Sequence, residues 1–158
     1  MSQNALIFLV LCAIVVLFAT GAMKRSAQTE QRERREALEQ AAGEIGLTVL
    51  TRADALPFDG RLQTTAVRGA ADLTPPPFAR GGAFTAARDL DDLHEMAPRE
   101  VRHTTSDEPF VLTARVEYVD EQDRVASSQT LAKRVVAVVT HPELLQPIEL
   151  GRIYELVP

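Results

Sequence analysis

Residues Ala5 to Met23 read ALIFLVLCAIVVLFATGAM, a run with no charged side chain in which only Thr20 and Gly21 are less than apolar. As an α-helix rising about 1.5 Å per residue, the run would be roughly 28 Å long, close to the hydrocarbon thickness of a bilayer. In lipid the backbone must satisfy its own hydrogen bonds, so the run predicts a single N-terminal transmembrane helix over residues 1–23. A buried helix would need a shell of protein around it, and the rest of a 158-residue chain is too small to surround so uniform a segment. On this reading Leu6, Phe8, Leu11, Ile14, Val15, Leu17 and Phe18 anchor the chain in the lipid bilayer. Ala13, Ala19, Gly21 and Ala22 are small enough to let another helix approach closely.

Two other readings of the same run are weaker. A cleaved signal peptide would carry Lys or Arg in its first residues, whereas Met1-Ser2-Gln3-Asn4 has none, and the apolar run exceeds the usual core of such peptides. A lipid-modified Cys12 would want a small residue before it, and Leu11 stands there. Cys12 is the chain's one cysteine, which excludes an internal disulfide and a multi-thiolate metal site.

The flanks give an orientation. No Lys or Arg precedes the run, and Lys24, Arg25, Arg32, Arg34 and Arg35 follow it as stop-transfer and headgroup-facing charges. The excess of cations places that side in the cytoplasm and the N-terminus outside, in the inner membrane of a bacterial cell. Arginine dominates over lysine throughout the chain, a sign of a GC-rich genome.

Residues 24–45 predict a charged helical stalk, with Glu30–Arg34, Arg32–Glu36 and Arg35–Glu39 at i,i+4 spacing. Leu38, Ala41, Ala42 and Ile45 form one apolar stripe near its end, and Gly43 and Gly46 are expected to stop the helix. A short strand is expected at Gly46–Thr51. Lys24–Glu44 is electrically neutral, so the net charge of −5 belongs to residues 46–158, read as a small antiparallel β-rich soluble domain.

Within that domain Arg61–Arg68 has strand character, and Thr74-Pro75-Pro76-Pro77-Phe78 and Gly81-Gly82 interrupt regular structure. Phe84–Glu95 reads as a short helix. Phe110–Val119 (FVLTARVEYV) alternates, with Phe110, Leu112, Ala114, Val116 and Tyr118 on one face. Asp120–Asp123 is a turn. Leu131–Thr140 (LAKRVVAVVT) is a second strand, apolar on both faces at Val135–Val139 and so interior to a sheet. A third strand is expected at Gly151–Val157. These strands make an antiparallel meander, and the fold class is α+β, with a small β-barrel on a stalk as the other arrangement.

The chemistry-bearing residues are sparse. Net negative charge argues against nucleic acid held through phosphates, and the absence of Trp argues against stacking platforms. His94, His103 and His141 are not at metal-ligand spacing. Asp89-Leu90-Asp91-Asp92-Leu93-His94-Glu95 is the most suggestive cluster, because Asp91 and Glu95 would share a helix face and could offer oxygens to a divalent ion. The simpler account is an amphipathic helix with Leu90, Leu93 and Met96 buried and the acids in water. Ser127-Ser128 lacks a nucleophile elbow, and Gly81-Gly82 lacks a phosphate-loop lysine.

Three functions follow. The first is a non-catalytic, single-pass accessory subunit, without cofactor, whose helix packs among other membrane-protein subunits and whose domain braces the assembly, with a multi-subunit bioenergetic complex as one home. The second is a membrane-anchored ligand- or peptide-binding signalling module. The third is a metal-dependent enzyme using the Asp89–Glu95 cluster.

Overall fold

The computed structural model describes residues 3–63 and 69–156, excepting the side chains of residues 3–16, 18–23 and 63. Among these residues one long helix, α1 (Gln3–Asp54), precedes four strands: β1 (Arg99–Val101), β2 (Phe110–Tyr118), β3 (Ala132–Thr140) and β4 (Ile148–Glu155). All neighbouring strands are antiparallel and the spatial order is β1-β2-β3-β4. The fold is therefore α+β, built from one helix and an open meander whose edges are β1 and β4, rather than a closed barrel.

Among the described residues no helix is long and apolar enough to cross a membrane. The side chains of Ala5–Met23 fall outside the described residues, except that of Leu17, which is 70% exposed. The transmembrane expectation for Leu6, Phe8, Leu11, Ile14, Val15 and Phe18, and the helix-packing expectation for Ala13, Ala19, Gly21 and Ala22, lie there too.

The chain divides into two compact units, Met1–Ala37 and Leu38–Pro158. In the first, Lys24 through Glu36 are exposed. Local pairs brace the helix: Arg32 Nε lies 2.7 Å from Glu36 Oε1, and Thr29 Oγ1 donates to the Arg25 carbonyl at 2.9 Å. Exposed pairs of this kind, screened by solvent, add little to stability.

In the second unit α1 presents Leu38, Ala41, Ala42, Ile45, Val49, Leu50 and Ala53, all buried. The helix does not stop at Gly43 or Gly46, and Gly46–Thr51 is helix rather than strand. The apolar stripe simply continues beyond Ile45 at helical spacing, and burying it outweighs the helix cost of two glycines, about 1 kcal/mol each. Gly46 is a contact residue: a Cβ there would sit 2.8 Å from Leu150 Cδ1 of β4.

The sheet follows its alternation. Phe110, Leu112, Ala114, Val116 and Tyr118 of β2 are buried; Phe110 pairs with Val101 of β1, and the other four pair with Val139, Ala137, Val135 and Lys133 of β3. The interior position expected for β3 is observed, between β2 and β4. β4 begins at Ile148, three residues before the expected strand, and its Tyr154 hydroxyl lies 2.8 Å from Asp54 Oδ1 at the end of α1. Burial and the hydrogen bond to Asp54 push that phenol up to about 12.

Among the described residues between α1 and β1 there is no α-helix. The helix expected at Phe84–Glu95 is two separate 3-10 turns, Phe84–Ala86 and Asp91–Leu93, and Glu95 takes φ 44°, which an α-helix does not tolerate. The expected strand at Arg61–Arg68 starts as a 3-10 turn over Gly60–Gln63, and residues 64–68 lie outside the described residues. β1, only three residues long, has no counterpart in the sequence reading.

Leu112 is 0% exposed and Leu145 is 80% exposed. Leu112→Ala should therefore cost about 2–5 kcal/mol and Leu145→Ala no more than about 0.5, read by denaturant unfolding of the purified full chain. Equal losses would place the core elsewhere.

Candidate functional site

Lys133 sits on β3 at an inward position and is 0% exposed. An ammonium removed from water must find acceptors for its three protons, or fold stability falls by several kcal/mol. Its Nζ donates to the Phe58 carbonyl at 2.9 Å and to Asp59 Oδ2 at 3.3 Å, and lies 2.6 Å from Asp91 Oδ1. The rings of Phe58, Tyr118 and Phe78 enclose it with centroids at 4.5, 5.1 and 5.3 Å. Their negative faces are favourable surroundings for a cation in a dry site.

The two carboxylates are held differently. Asp59 accepts from the backbone N–H groups of Arg61 (2.9 Å) and Thr74 (2.8 Å) and from Thr74 Oγ1 (3.1 Å). Burial opposes its ionisation, but the Thr74 and Arg61 donors and Lys133 outweigh burial and hold Asp59 below the ordinary carboxylate value. Asp91 is 8% exposed and receives no N–H bond. Its close approach to Lys133 is an ion pair without hydrogen-bond alignment, and Oδ2 has no donor. Burial pushes Asp91 up to about 6 despite Lys133, with Asp59 and Asp89 adding to the rise.

Short-range contacts bring these groups together. Asp89 Oδ2 accepts from the Gly60 N–H at 2.8 Å and Asp89 Oδ1 from the Asp92 N–H at 3.0 Å, which joins the Gly60 turn to the Asp91 turn. The Tyr118 hydroxyl donates to the Thr74 carbonyl at 2.8 Å. His94 Nδ1 lies 3.0 Å from the Val116 carbonyl oxygen and 3.2 Å from its nitrogen, so the imidazole covers the edge of β2 that the short β1 leaves unpaired. The Gly81 N–H donates to the His94 carbonyl at 2.6 Å. A Cβ at Gly81 would collide with the carbonyl oxygens of Asp92 and His94, so this position requires glycine for its close approach.

The Asp89–Glu95 cluster thus has a role different from the one its spacing suggests. Leu90, Leu93 and Met96 are buried as expected, but Asp91 turns inward onto Lys133 instead of standing in water. Asp91 and Glu95 do not share a helix face. Among the described residues no group of three or more His, Cys, Asp or Glu is placed to hold a metal ion. His103 Nδ1 bonds Thr105 Oγ1 at 2.9 Å and His141 Nε2 bonds Ser106 Oγ at 2.9 Å. Lys24, Arg25, Arg32, Arg34 and Arg35 are exposed along α1.

Neither Lys133 nor Asp59 stood out in the sequence reading. A signal for Lys133 existed, because it shares the parity of Val135, Ala137 and Val139. No known protein family, characterised protein or solved structure matches this chain. The site is therefore read from its own geometry.

Lys133→Met leaves two buried carboxylates without their cation and should cost at least about 3–5 kcal/mol in unfolding free energy. Asp59 has a lowered folded pKa, so its contribution is present above its unfolded value of 3.8 and lost as pH falls through the folded value. The stability gap between the wild-type chain and Asp59→Asn should then shrink as pH is lowered from 5 to 3 in thermal unfolding. A gap that widens over that range contradicts the assignment.

Proposed function

We propose that this chain is a non-catalytic, single-pass membrane accessory subunit. The observation that carries the reading is the uncharged run Ala5–Met23, which lies within one unbroken helix that continues past Lys24 and Arg25 into the charged segment. The run has the length and composition of a bilayer-spanning helix, and the cations after it set the cytoplasmic side. Ala13, Ala19, Gly21 and Ala22 are the positions for close packing on a helix of a partner subunit.

The polar groups of the second unit support the non-catalytic part. Lys133, Asp59, Asp89, Asp91 and Asp92 are engaged with one another or with backbone N–H groups of their own chain. They act as internal ties, which leaves the unit suited to bracing a partner rather than to turning over a substrate.

A second reading, a ligand- or peptide-binding module, draws on an open groove of about 590 Å³ beside the Asp120 turn and β4. It combines the apolar Val119, Leu131 and Ile153 with the acidic Glu121, Asp123 and Glu155, a surface for a cationic, partly apolar ligand.

Alkaline carbonate extraction should leave the chain with the membrane pellet. The double substitution Ile14→Arg and Val15→Arg, at a cost of about 2.5–3.5 kcal/mol per residue in mid-bilayer, should release it. Capture in mild detergent should return other membrane subunits in fixed ratio. Release of the wild-type chain by carbonate would refute the anchor, and capture of a lone monomer would refute the accessory role.

A further inference from the structure

We propose that Lys133 and Asp91 join in an intramolecular amide, with the Lys133 amine attacking the Asp91 side-chain carboxyl and Asp59 acting as the base. This is a single self-modification of the chain, separate from any turnover of a substrate.

The geometry is that of reactants already assembled. Lys133 Nζ lies 2.6 Å from Asp91 Oδ1, and both groups stand on packed elements, Lys133 on β3 and Asp91 in a turn whose neighbours Leu90 and Leu93 are 1% and 0% exposed. Holding two reactants in contact gives effective concentrations far beyond those in solution, about 10⁵ M or more where the alignment is good. The site is also dry. Lys133 is 0% exposed, Asp91 is 8% exposed, and three aromatic rings line the amine. Amide formation releases water, and a site that excludes water favours the amide over its hydrolysis.

The protonation states follow from the surroundings. The reaction needs a neutral amine and a neutral carboxylic acid. The resting site is the ion pair described above, and the reacting species is the neutral pair reached when one proton passes from the ammonium to Asp91. Asp91 is suited to accept it, because no N–H donor stabilises its charge and Oδ2 is unpartnered. Burial raises the Asp91 pKa, the direction that eases its protonation. Asp59 is fixed in the opposite state by the Arg61 and Thr74 donors, so it stays a carboxylate and serves as base rather than electrophile.

The atoms balance without a further reagent. The neutral amine of Lys133 attacks Asp91 Cγ, and the nitrogen passes a proton to Asp59 Oδ2, 3.3 Å from Nζ. Asp59 then returns that proton to the departing Asp91 hydroxyl. The C–O bond breaks, one water leaves, and an N–C amide bond remains between β3 and the Asp91 turn.

Tryptic mapping of the purified full chain tests this directly. The expected product joins Asp89–Arg99 to Val125–Arg134, with a mass equal to the two peptides less one water and with cleavage after Lys133 blocked. Asp91→Ala and Lys133→Arg should each give unlinked peptides. Asp59→Asn, checked for native circular dichroism, keeps both reacting groups and should slow linkage about 100-fold or more. Full recovery of the free Asp89–Arg99 peptide and normal cleavage after Lys133 in the folded wild-type chain would overturn the proposal. A link from Lys133 to the Asp59 peptide would overturn the choice of Asp91, and wild-type linkage in Asp59→Asn would overturn the choice of base.

Discussion

A cation buried beside β2 is the constraint around which the second unit is arranged. Lys133 projects from the start of β3, an interior strand, into a place where water does not reach, and its acceptors all come from residues between α1 and β1. Among its described residues that stretch has short 3-10 turns as its regular structure. It lacks the backbone ladders that hold the strands. The ammonium supplies a fixed point to which the Phe58 carbonyl, Asp59 and Asp91 converge. An unpaired charge at this depth would cost several kcal/mol, a large fraction of the 5–15 kcal/mol that domains of this size possess.

Further ties follow from the same need to seat irregular chain on a sheet. β1 pairs with only three residues of β2, and the edge beyond it must be covered. His94 does so with its ring nitrogen at Val116, and Gly81 allows the chain to pass close enough for its N–H to reach the His94 carbonyl. Asp89 ties the Gly60 turn to the Asp91 turn. Tyr118, one of the rings around Lys133, anchors Thr74, whose N–H and hydroxyl in turn hold Asp59. The aromatic enclosure and the carboxylate are thus positioned by one connected set of contacts.

The parts of this fold set by short-range periodicity were legible in the sequence. From Phe110 to Tyr118 every second side chain is apolar, and the structure buries those positions. Leu38 to Ile45 form a helical stripe, and the structure buries that too. Gly46 misled because a glycine after a stripe resembles a stop, whereas here it admits Leu150. The site was less legible. Lys133 to Asp59 is a contact between residues 74 apart in the chain, and no local pattern marks such a pairing. The Asp89–Glu95 acids drew attention for their spacing, yet Asp91 matters through a partner on β3. Lys133 itself was detectable as a charge on the apolar parity of a strand.

The functional reading rests on a different part of the chain, the uncharged run before Lys24, and the bracing role needs a second unit whose loop segment stays ordered. Hydrogen exchange of the full chain, wild type against Lys133→Met, tests the central claim that the buried cation orders that segment. In Lys133→Met, protection is expected to be lost at residues 57–63 and 69–96 while β2, β3 and the Leu38–Asp54 part of α1 keep theirs. Protection unchanged in the loop, or lost evenly across sheet and helix, would contradict it.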